Sequence, residues 1–495
     1  MIDADLGVNA DGTIAGLRAD VTGDIGAYSI YPWTAGLEPV QVVSFLPGPY
    51  RVPAYRGRTR GVLTPKPPTG PYRGVGRPIS TFVMERLLDM AAVRLKLDPK
   101  DIRLRNLIRP EEFPYKTAPG IVWDRCEFIE CLNTACKTIG YDERRRQQAQ
   151  ARAQGRWVGI GVACYAELTG IDSRISAAPG MPINTGTDTA TIRIDSGGTV
   201  TASFGVASHG QGLETTLAQV VAQELGVRVE DVRVVHGDSA AVTHGTGTYA
   251  SRSAVLAGGA ATLAARDLRG KAVRMGAHLL EAPVSEIEAA DGELFVVGTN
   301  RKMTFRDLGR AVHSDMGRLP KEAREDLEAT RLYDPFFGTA SSAAHIAEVE
   351  IDPDTYIVTV RRYVVAEDCG RVINPLIVEG QVHGGVAQGI GAALLEEMVH
   401  DAEGQALTAS LVDYLVPSAA EVPAIEVVHV PSESLSTLGG YRGMGEGGTI
   451  GAPAAIANAI SDALQPLGVE VNELPASPER LFRLVRAAAG PDKQG

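Results

Sequence analysis

The stretch Gly439-Gly-Tyr-Arg-Gly-Met-Gly-Glu-Gly-Gly-Thr-Ile-Gly451 decides how the chain is read, because it sets one carboxylate, Glu446, among glycines. A helix is predicted to follow it, from Pro453 to Leu464. Glycine lacks a Cβ, so it adopts unusual backbone conformations and lets the chain approach another group closely. The pattern predicts that Glu446 lies on a shaped loop and not on a helix face. A glycine-rich surface turn carrying a solvated acid is the alternative interpretation.

Three more glycine loops share this plan, since each precedes a segment with helical spacing of apolar residues: Tyr72-Arg-Gly-Val-Gly76, His209-Gly-Gln-Gly212 and Thr246-Gly-Thr-Tyr-Ala-Ser251. Free N–H groups and a partial positive charge at a helix N-terminus favour phosphate. None of the four loops is a Walker loop or completes the dinucleotide motif. Together they indicate a large cofactor that carries phosphate groups. Taken singly, Gln211 could cap a helix, His209 could be a buried structural histidine and Arg73 could form a surface ion pair.

The rest of the pattern predicts a mixed α+β fold. The first residues predict a hairpin with its turn at Asp11-Gly12. Val158, Ile160 and Val162 alternate with small residues, which predicts a strand packed closely against another element. The charged stretch from 142 to 155 indicates a boundary, and residues 298–340 indicate a small helical insertion on the surface.

Composition argues against several classes of protein. A net charge of −12 and an acidic pI of about 5.4 argue against a nucleic-acid partner. The sequence has no export signal at its start and no apolar run long enough for a membrane span, so we expect a cytoplasmic location. The five cysteines include no C-x-x-C pair, and the histidines form no H-E-x-x-H motif. A metal ion, if present, would have to be held by something other than protein side chains.

Seven motifs follow one another in a recognisable order: Tyr72-Arg-Gly-Val-Gly-Arg-Pro78, Ser208-His-Gly-Gln-Gly-Leu-Glu-Thr-Thr216, Gly247-Thr-Tyr-Ala-Ser-Arg-Ser253, Ala347-Glu-Val-Glu-Ile-Asp352, Asp368-Cys-Gly with Asn374-Pro, Gly380-Gln with Gly384-Gly and Gln388-Gly-Ile-Gly, and Gly445-Glu-Gly-Gly448. In this order the chain resembles the molybdenum-binding subunits of the xanthine dehydrogenase and aldehyde oxidase family, including bacterial proteins labelled carbon monoxide dehydrogenase large subunit. The resemblance runs from the first residues to about Arg480.

The resemblance implies two mixed α/β molybdopterin-binding lobes with the cofactor between them. Residues 1–142 would be the C-terminal part of the first lobe and residues 143–156 a linker. Residues 157–495 would form the second lobe, with 298–340 as its surface insertion.

The resemblance also implies a molybdopterin cofactor, in bacteria usually the cytosine dinucleotide form, whose dithiolene sulfurs hold the molybdenum. Glu446 would be the catalytic base in the hydroxylation of an aldehyde or N-heterocycle, with water as the oxygen source. The residues implied to contact the cofactor are Arg73, Gly74, His209, Gly210, Gln211, Gly212, Ala250, Ser251, Ser253, Gln388 and Gly445. Arg73 and Gly74 are implied to do so through their backbone.

Departures from the family pattern refine these expectations. The loop at Pro71-Tyr-Arg-Gly74 lacks the cysteine that true carbon monoxide dehydrogenases carry, which argues against carbon monoxide as the substrate, and Ile79-Ser80 replaces a common Glu-Ala. Family members carry a further cofactor loop and a smaller domain ahead of the opening hairpin. We therefore expect a complementary N-terminal molybdenum-subunit chain, with a truncated gene product as the alternative.

Partner subunits are expected for electron transfer. The sequence has neither iron–sulfur cysteines nor a flavin motif, so the resemblance implies a 2Fe-2S subunit and an FAD subunit. A non-catalytic subunit that carries or assembles the cofactor is the alternative function. Substrate specificity is expected to lie in the loops from 170 to 187 and from 432 to 439.

Overall fold

The computed structural model describes residues 1–30, 34–176, 185–336 and 338–490. Its helices are α1 (Leu37–Phe45), α2 (Arg77–Leu95), α3 (Pro99–Asn106), α4 (Phe128–Ile139), α5 (Tyr141–Ala153), α6 (Ser173–Ser176), α7 (Leu213–Leu225), α8 (Ser253–Leu279), α9 (Phe305–His313), α10 (Pro375–Leu394), α11 (Gly447–Leu464) and α12 (Pro478–Ala489). Its strands are β1 (Ile2–Val8), β2 (Ile14–Gly26), β3 (Tyr55–Leu63), β4 (Tyr115–Lys116), β5 (Val122–Trp123), β6 (Trp157–Thr169), β7 (Asp188–Ile194), β8 (Val200–Phe204), β9 (Val232–Val235), β10 (Ile287–Ala290), β11 (Glu293–Val296), β12 (Lys302–Thr304), β13 (Glu328–Tyr333), β14 (Thr339–Ile351), β15 (Val358–Asp368) and β16 (Ile425–His429). The predicted mixed class is confirmed.

A four-stranded sheet in the order β16-β15-β14-β6 lies between two hydrophobic cores. Its strands pair antiparallel, except for the parallel pair β15 and β16. Side chains alternate between the faces of a strand. In β6, Ile160 and Val162 therefore join the core of the first part of the chain, while Ala163 and Tyr165 join the core formed with α10 and α11.

The predicted close packing of β6 is confirmed, and its partner is α11. A Cβ on Gly159 would lie 1.9 Å from the carbonyl oxygen of Ala459, and one on Gly161 would lie 2.0 Å from that of Ala455. Neither position has room for any side chain. Because the chain directions are opposed, α11 begins beside the C-terminal end of β6, where the Gly443 N–H donates to the Thr169 hydroxyl at 3.0 Å.

The other sheets complete the fold. The sheet β13-β7-β8-β9, the helices α7 and α8 and the small sheet β10-β11-β12 share a third core. The opening residues form the predicted hairpin, β1 with β2, and β3 joins it in parallel. None of the described helices combines the length and the apolar character that a membrane span requires.

The start of α11, the stretch 298–340 and the stretch 143–156 differ from the sequence-based expectations. Helix α11 begins at Gly447, so Pro453 lies inside it, because packing against β6 and α10 outweighs one missing backbone hydrogen bond. The stretch 298–340 contains α9, but β12 and β13 pair with strands of two sheets, so it is not simply a helical insertion.

The stretch 143–156, predicted to be a linker, lies largely in α5. Charged and amide side chains of this helix bond to Asp462 of α11, at 2.9 Å from Arg145 and 2.5 Å from Gln148. The core of the first part of the chain also includes residues of β6, β14 and β15.

Candidate functional site

Each of the four predicted glycine loops leads into a helix, as expected. They precede α2, α7, α8 and α11, whose N-cap residues are Gly76, Gly212, Arg252 and Glu446. The starts of α2, α8 and α11 are joined by direct hydrogen bonds, described below. Among the described residues, the start of α7 is not joined to them in this way, but it lines a cleft together with the start of α8. Partial positive charges therefore converge from several helices, as an anionic ligand requires.

Glu446 is held from both sides at the start of α11. Its Oε2 accepts a hydrogen bond from the Arg77 guanidinium at 2.7 Å, and its Oε1 accepts from the Ala250 N–H at 3.2 Å. Its own N–H donates to the Ser251 hydroxyl at 3.0 Å. The Glu446 side chain is 12% exposed, so the carboxylate is held in place by hydrogen bonds and is still accessible to solvent. The alternative interpretation of Glu446 as a solvated surface acid is therefore excluded.

The loop before α8 is strained where it meets Glu446. Ala250 and Ser251 have φ angles of 51° and 52°, in the left-handed region that non-glycine residues rarely occupy. A buried ion pair stabilises this loop, because the Arg252 guanidinium lies 3.0 Å from the Asp188 carboxylate. The same guanidinium donates to the Gly247 carbonyl of the loop at 2.7 Å. This conformation aims the Ala250 N–H at the Glu446 carboxylate.

The Arg73 side chain ties the first loop to the last. Its Nε donates to the Gly445 carbonyl at 2.6 Å, and its guanidinium also reaches the Gln381 carbonyl at 3.2 Å and Gln388 Oε1 at 3.4 Å. The alternative of a surface ion pair is therefore wrong for Arg73. Gly74, which follows it, is buried with φ of 89°. Backbone contacts from Arg73 and Gly74 to a cofactor stay a prediction.

Glycines of the stretch around Glu446 serve close packing against protein. A Cβ on Gly443 would lie 1.8 Å from the Ser251 carbonyl oxygen, and one on Gly447 would lie 2.1 Å from the Tyr165 hydroxyl. Gly445 differs, because its nearest neighbour would lie at an ordinary 3.6 Å. Glycine at 443 thus lets this loop meet the loop before α8, and glycine at 447 lets the start of α11 pack against Tyr165 of β6. Of the three positions, Gly445 is the one where a Cβ would fit.

The loop before α7 is the most exposed part of the site. His209 is exposed, which excludes the interpretation as a buried structural histidine. Its backbone N–H donates to Gln211 Oε1 at 2.7 Å. Gly210 has φ of 105° with no atom within 4 Å of a built Cβ. Gly212, at φ of 75°, packs against Ile377 of α10. The loop presents backbone to open space rather than to protein.

A cleft with about 800 Å³ of free space, open to solvent, lies between the loops before α7, α8 and α11 and the first turns of α10. Its lining includes Gln211, Ser251, Ser253, Gln381 and Gly445. The Ser253 hydroxyl is buried and has no hydrogen-bond partner among the described residues. An unsatisfied donor at a helix N-terminus fits a phosphate oxygen. Of the predicted specificity loop from 170 to 187, residues 177–184 lie outside the described residues.

Two charged residues of the site were not predicted, Arg77 and Glu167. One Arg77 nitrogen lies 2.7 Å from Glu446 and 3.4 Å from Glu167, and both Arg77 and Glu167 are buried. Burial, with the neighbouring Glu446 carboxylate, raises the pKa of Glu167 to about 8. Arg77 was within a quoted motif. Glu167 carried one signal, because period-two alternation puts it on the same face of β6 as Gly159 and Gly161.

A second cluster lies at the end of β15. Ligand atoms of Glu367, Cys369 and His429 come within 4.8 Å of one another, as a metal ion would require. His429 Nδ1 lies 2.8 Å from Glu367 Oε1, so these two side chains already pair with each other. Burial raises the pKa of the Cys369 thiol, which disfavours the thiolate that metals bind. We therefore assign no metal ion to this cluster.

Comparison with known proteins bears on this site. Two family models, each described as a molybdopterin cofactor-binding domain, match residues 134–423 and 1–107. The chain is similar to the nicotine 6-hydroxylase large subunit of Paenarthrobacter nicotinovorans, at 38% identity over 97% of the chain and 58% of that protein. It is similar to the carbon monoxide dehydrogenase large chain of Hydrogenophaga pseudoflava, at 33% identity over 98% of the chain and 60% of that protein.

The fold is similar to the solved structure of quinoline 2-oxidoreductase from Pseudomonas putida 86. The TM-score is 0.92 at 39% sequence identity, covering 98% of this chain and 62% of that one. The chain thus spans about 60% of the length of these relatives.

Proposed function

The chain belongs to the molybdopterin-binding large subunits of the xanthine dehydrogenase and carbon monoxide dehydrogenase family, and from this we propose that it supplies the base-bearing wall of the active site of a molybdenum hydroxylase. The enzyme oxidises a small organic substrate with water as the oxygen source. Electrons leave through 2Fe-2S and FAD partner subunits.

The cofactor fits the residues present. Backbone N–H groups at the starts of α7 and α8 suit the phosphates, with Gln211 and the unpaired Ser253 hydroxyl as side-chain contacts. These phosphate sites support the cytosine dinucleotide form. When bound, molybdopterin supplies the metal that activates water and accepts two electrons.

The observation that carries the proposal is the fixed Glu446 carboxylate beside the cleft. A general base has to lie within about 2.6–3.2 Å of the proton it removes, and it has to be oriented in advance. Arg77 and the Ala250 N–H supply that orientation, at 2.7 Å and 3.2 Å from the two carboxylate oxygens. Gly445, whose carbonyl Arg73 holds, precedes the base directly and lines the cleft.

The substrate class that the relatives support is an N-heteroaromatic ring. Proteins named for nicotine and for quinoline are 38% and 39% identical to this chain. An aldehyde oxidoreductase of similar fold is 24% identical, and the loop at Pro71-Tyr-Arg-Gly74 argues against carbon monoxide.

Partner chains are supported by the surface and by the relatives. Leu407, Leu411 and Val412 lie exposed in one segment after α10. Apolar side chains clustered in this way are typical of a covered interface. Relatives are named large subunits and, in one case, subunit gamma of a dehydrogenase complex.

The test is purification of the chain together with co-expressed partner subunits. Molybdenum and cytosine nucleotide are measured, followed by dye reduction with quinolines, pyridines, purines and aldehydes. We expect stoichiometric molybdenum and faster turnover of the heterocycles. A complex that binds molybdenum and reduces dye with none of these substrates would favour a cofactor-carrying subunit, and a complex without molybdenum would refute the proposal.

A further inference from the structure

A second carboxylate lies directly behind Glu446. Glu167 is completely buried on β6, on the face that meets α11, and no part of it reaches the cleft surface. Burying an ionisable group is costly unless its environment compensates for the lost water. Because burial of the Glu167 carboxyl is costly and it lies next to the proposed base, we expect it to have a role in the reaction. This role rests on the proposed function of Glu446.

The contacts of Glu167 are the groups that orient Glu446. The Ser251 hydroxyl donates to Glu167 Oε1 at 2.5 Å and accepts from the Glu446 N–H at 3.0 Å. One Arg77 nitrogen bridges the two carboxylates, at 3.4 Å from Glu167 and 2.7 Å from Glu446. Ser341 of β14 donates to the other oxygen of Glu167 at 3.4 Å. Two of the three groups bonded to Glu446, Arg77 and Ser251, are therefore also bonded to Glu167.

The charged and titratable groups facing Glu167 come from three elements. Arg73 and Arg77 approach from α2 and the loop before it, Glu446 from the start of α11, and Tyr165 from β6 itself. Two acids and two arginines thus share one buried volume. Ionisation of Glu167 divides Arg77 between two carboxylates and places a second negative charge beside Glu446. Like charge nearby makes a carboxylate a stronger base.

We propose that Glu167 is a positioning residue for the reaction: through Arg77 and Ser251 it orients the Glu446 carboxylate, and by its own ionisation it sets the charge beside Glu446 and the share of Arg77 that Glu446 receives. Glu167 touches neither substrate nor cofactor. Ionisation of this one group then couples turnover to pH in the range where Glu167 titrates.

The kinetic test compares the wild-type complex with Glu167→Gln, which keeps shape and hydrogen bonding but cannot ionise. We expect the ratio of variant to wild-type kcat to be near one at about pH 6 and about three- to tenfold lower at about pH 9, because the wild type carries the second negative charge beside Glu446 only once Glu167 is ionised, and the variant never carries it. Glu367→Gln, which changes a buried glutamate of β15 that pairs with His429, is the matched control with a ratio independent of pH. A ratio for Glu167→Gln that does not vary with pH would overturn the inference.

A second measurement needs no turnover and so separates this inference from the proposed function. Infrared difference spectra of the carboxyl stretch are recorded across pH for the wild type, Glu167→Gln and Glu446→Gln. We expect a titrating band that Glu167→Gln removes and that Glu446→Gln shifts to lower pH, because the neighbouring charge is gone. If Glu167→Gln does not fold, the pH at which the carboxyl band titrates in Glu446→Gln, compared with the wild type, still tests the coupling between the two acids. No shift would refute the coupling, whether or not the complex hydroxylates any substrate.

Discussion

Two glycines of one loop, Gly443 and Gly445, should respond oppositely to alanine. A Cβ at 443 would lie 1.8 Å from the Ser251 carbonyl oxygen and 2.7 Å from the Ser251 carbonyl carbon, so the backbone before α8 has to move. A Cβ at 445 would meet nothing closer than 3.6 Å. Neither glycine has a positive φ, so the difference is one of space alone.

The expected cost of Gly443→Ala is about 1–3 kcal/mol of unfolding free energy, at the upper end because a carbonyl cannot rotate away as a side chain can. Gly445→Ala should be neutral or more stable by up to about 1 kcal/mol, since alanine restricts the unfolded chain. Displacing Ser251 also loosens the support of Glu446, so Gly443→Ala should lose turnover as well.

Urea unfolding, followed by circular dichroism, gives the stabilities, and dye reduction by the complex gives the turnover. Equal stability of the two variants, within about 0.5 kcal/mol, together with wild-type turnover for Gly443→Ala, would refute this account of the loop.

Three further predictions follow from groups around the site. Burial lowers the pKa of His345 from 6.5 to about 3. The unfolded chain then binds a proton that the folded chain does not, so stability present above pH 6.5 should fall by about 1.4 kcal/mol per pH unit as pH drops toward 3. Urea titrations should show a shallower fall in His345→Gln, and an unchanged slope would contradict the assignment. Arg252→Met should cost about 3–5 kcal/mol in the same assay, because it leaves Asp188 buried and unpaired, whereas Arg18→Met, at an exposed pair, should change little; equal effects would contradict the role of burial. Arg73→Lys removes the paired donors that hold Gly445 and Gln381, so kcat should fall on the order of 100-fold with molybdenum retained, and a wild-type kcat would exclude this positioning role.

Local sequence patterns predicted helices and strands well where local spacing of apolar residues and glycines determines the element. In the helices from Phe128 to Ile139 and from Leu213 to Leu225, apolar residues recur at helical spacing and a glycine follows the last turn, so the sequence itself marks both helices. Strand β6 was predicted to pack closely, since small residues alternate along it. Its partner α11 could not be inferred, because that contact joins residues about 300 positions apart.

The site was predicted in part for the same reason. The glycine loops indicated a site for a large cofactor, and the family resemblance implied that Glu446, Arg73 and Ser251 belong to it. The structure brings these three residues together. Glu167 was missed because its one sequence signal, its face of β6, does not reveal the three other segments on which its role depends. The start of α11 was misplaced because a proline was taken as a helix start, whereas tertiary packing accommodates Pro453 within the helix.

The central claim is that Glu446 acts as the base in hydroxylation by water, and isotope transfer tests it most directly. The complex is incubated with an N-heterocycle in ¹⁸O-labelled water under unlabelled dioxygen, and the product is examined by mass spectrometry. We expect the label in the hydroxylated product of the wild type, and almost no product from Glu446→Gln although its molybdenum content is unchanged. Unlabelled product from the wild type, or labelled product formed by Glu446→Gln at the wild-type rate, would contradict the claim.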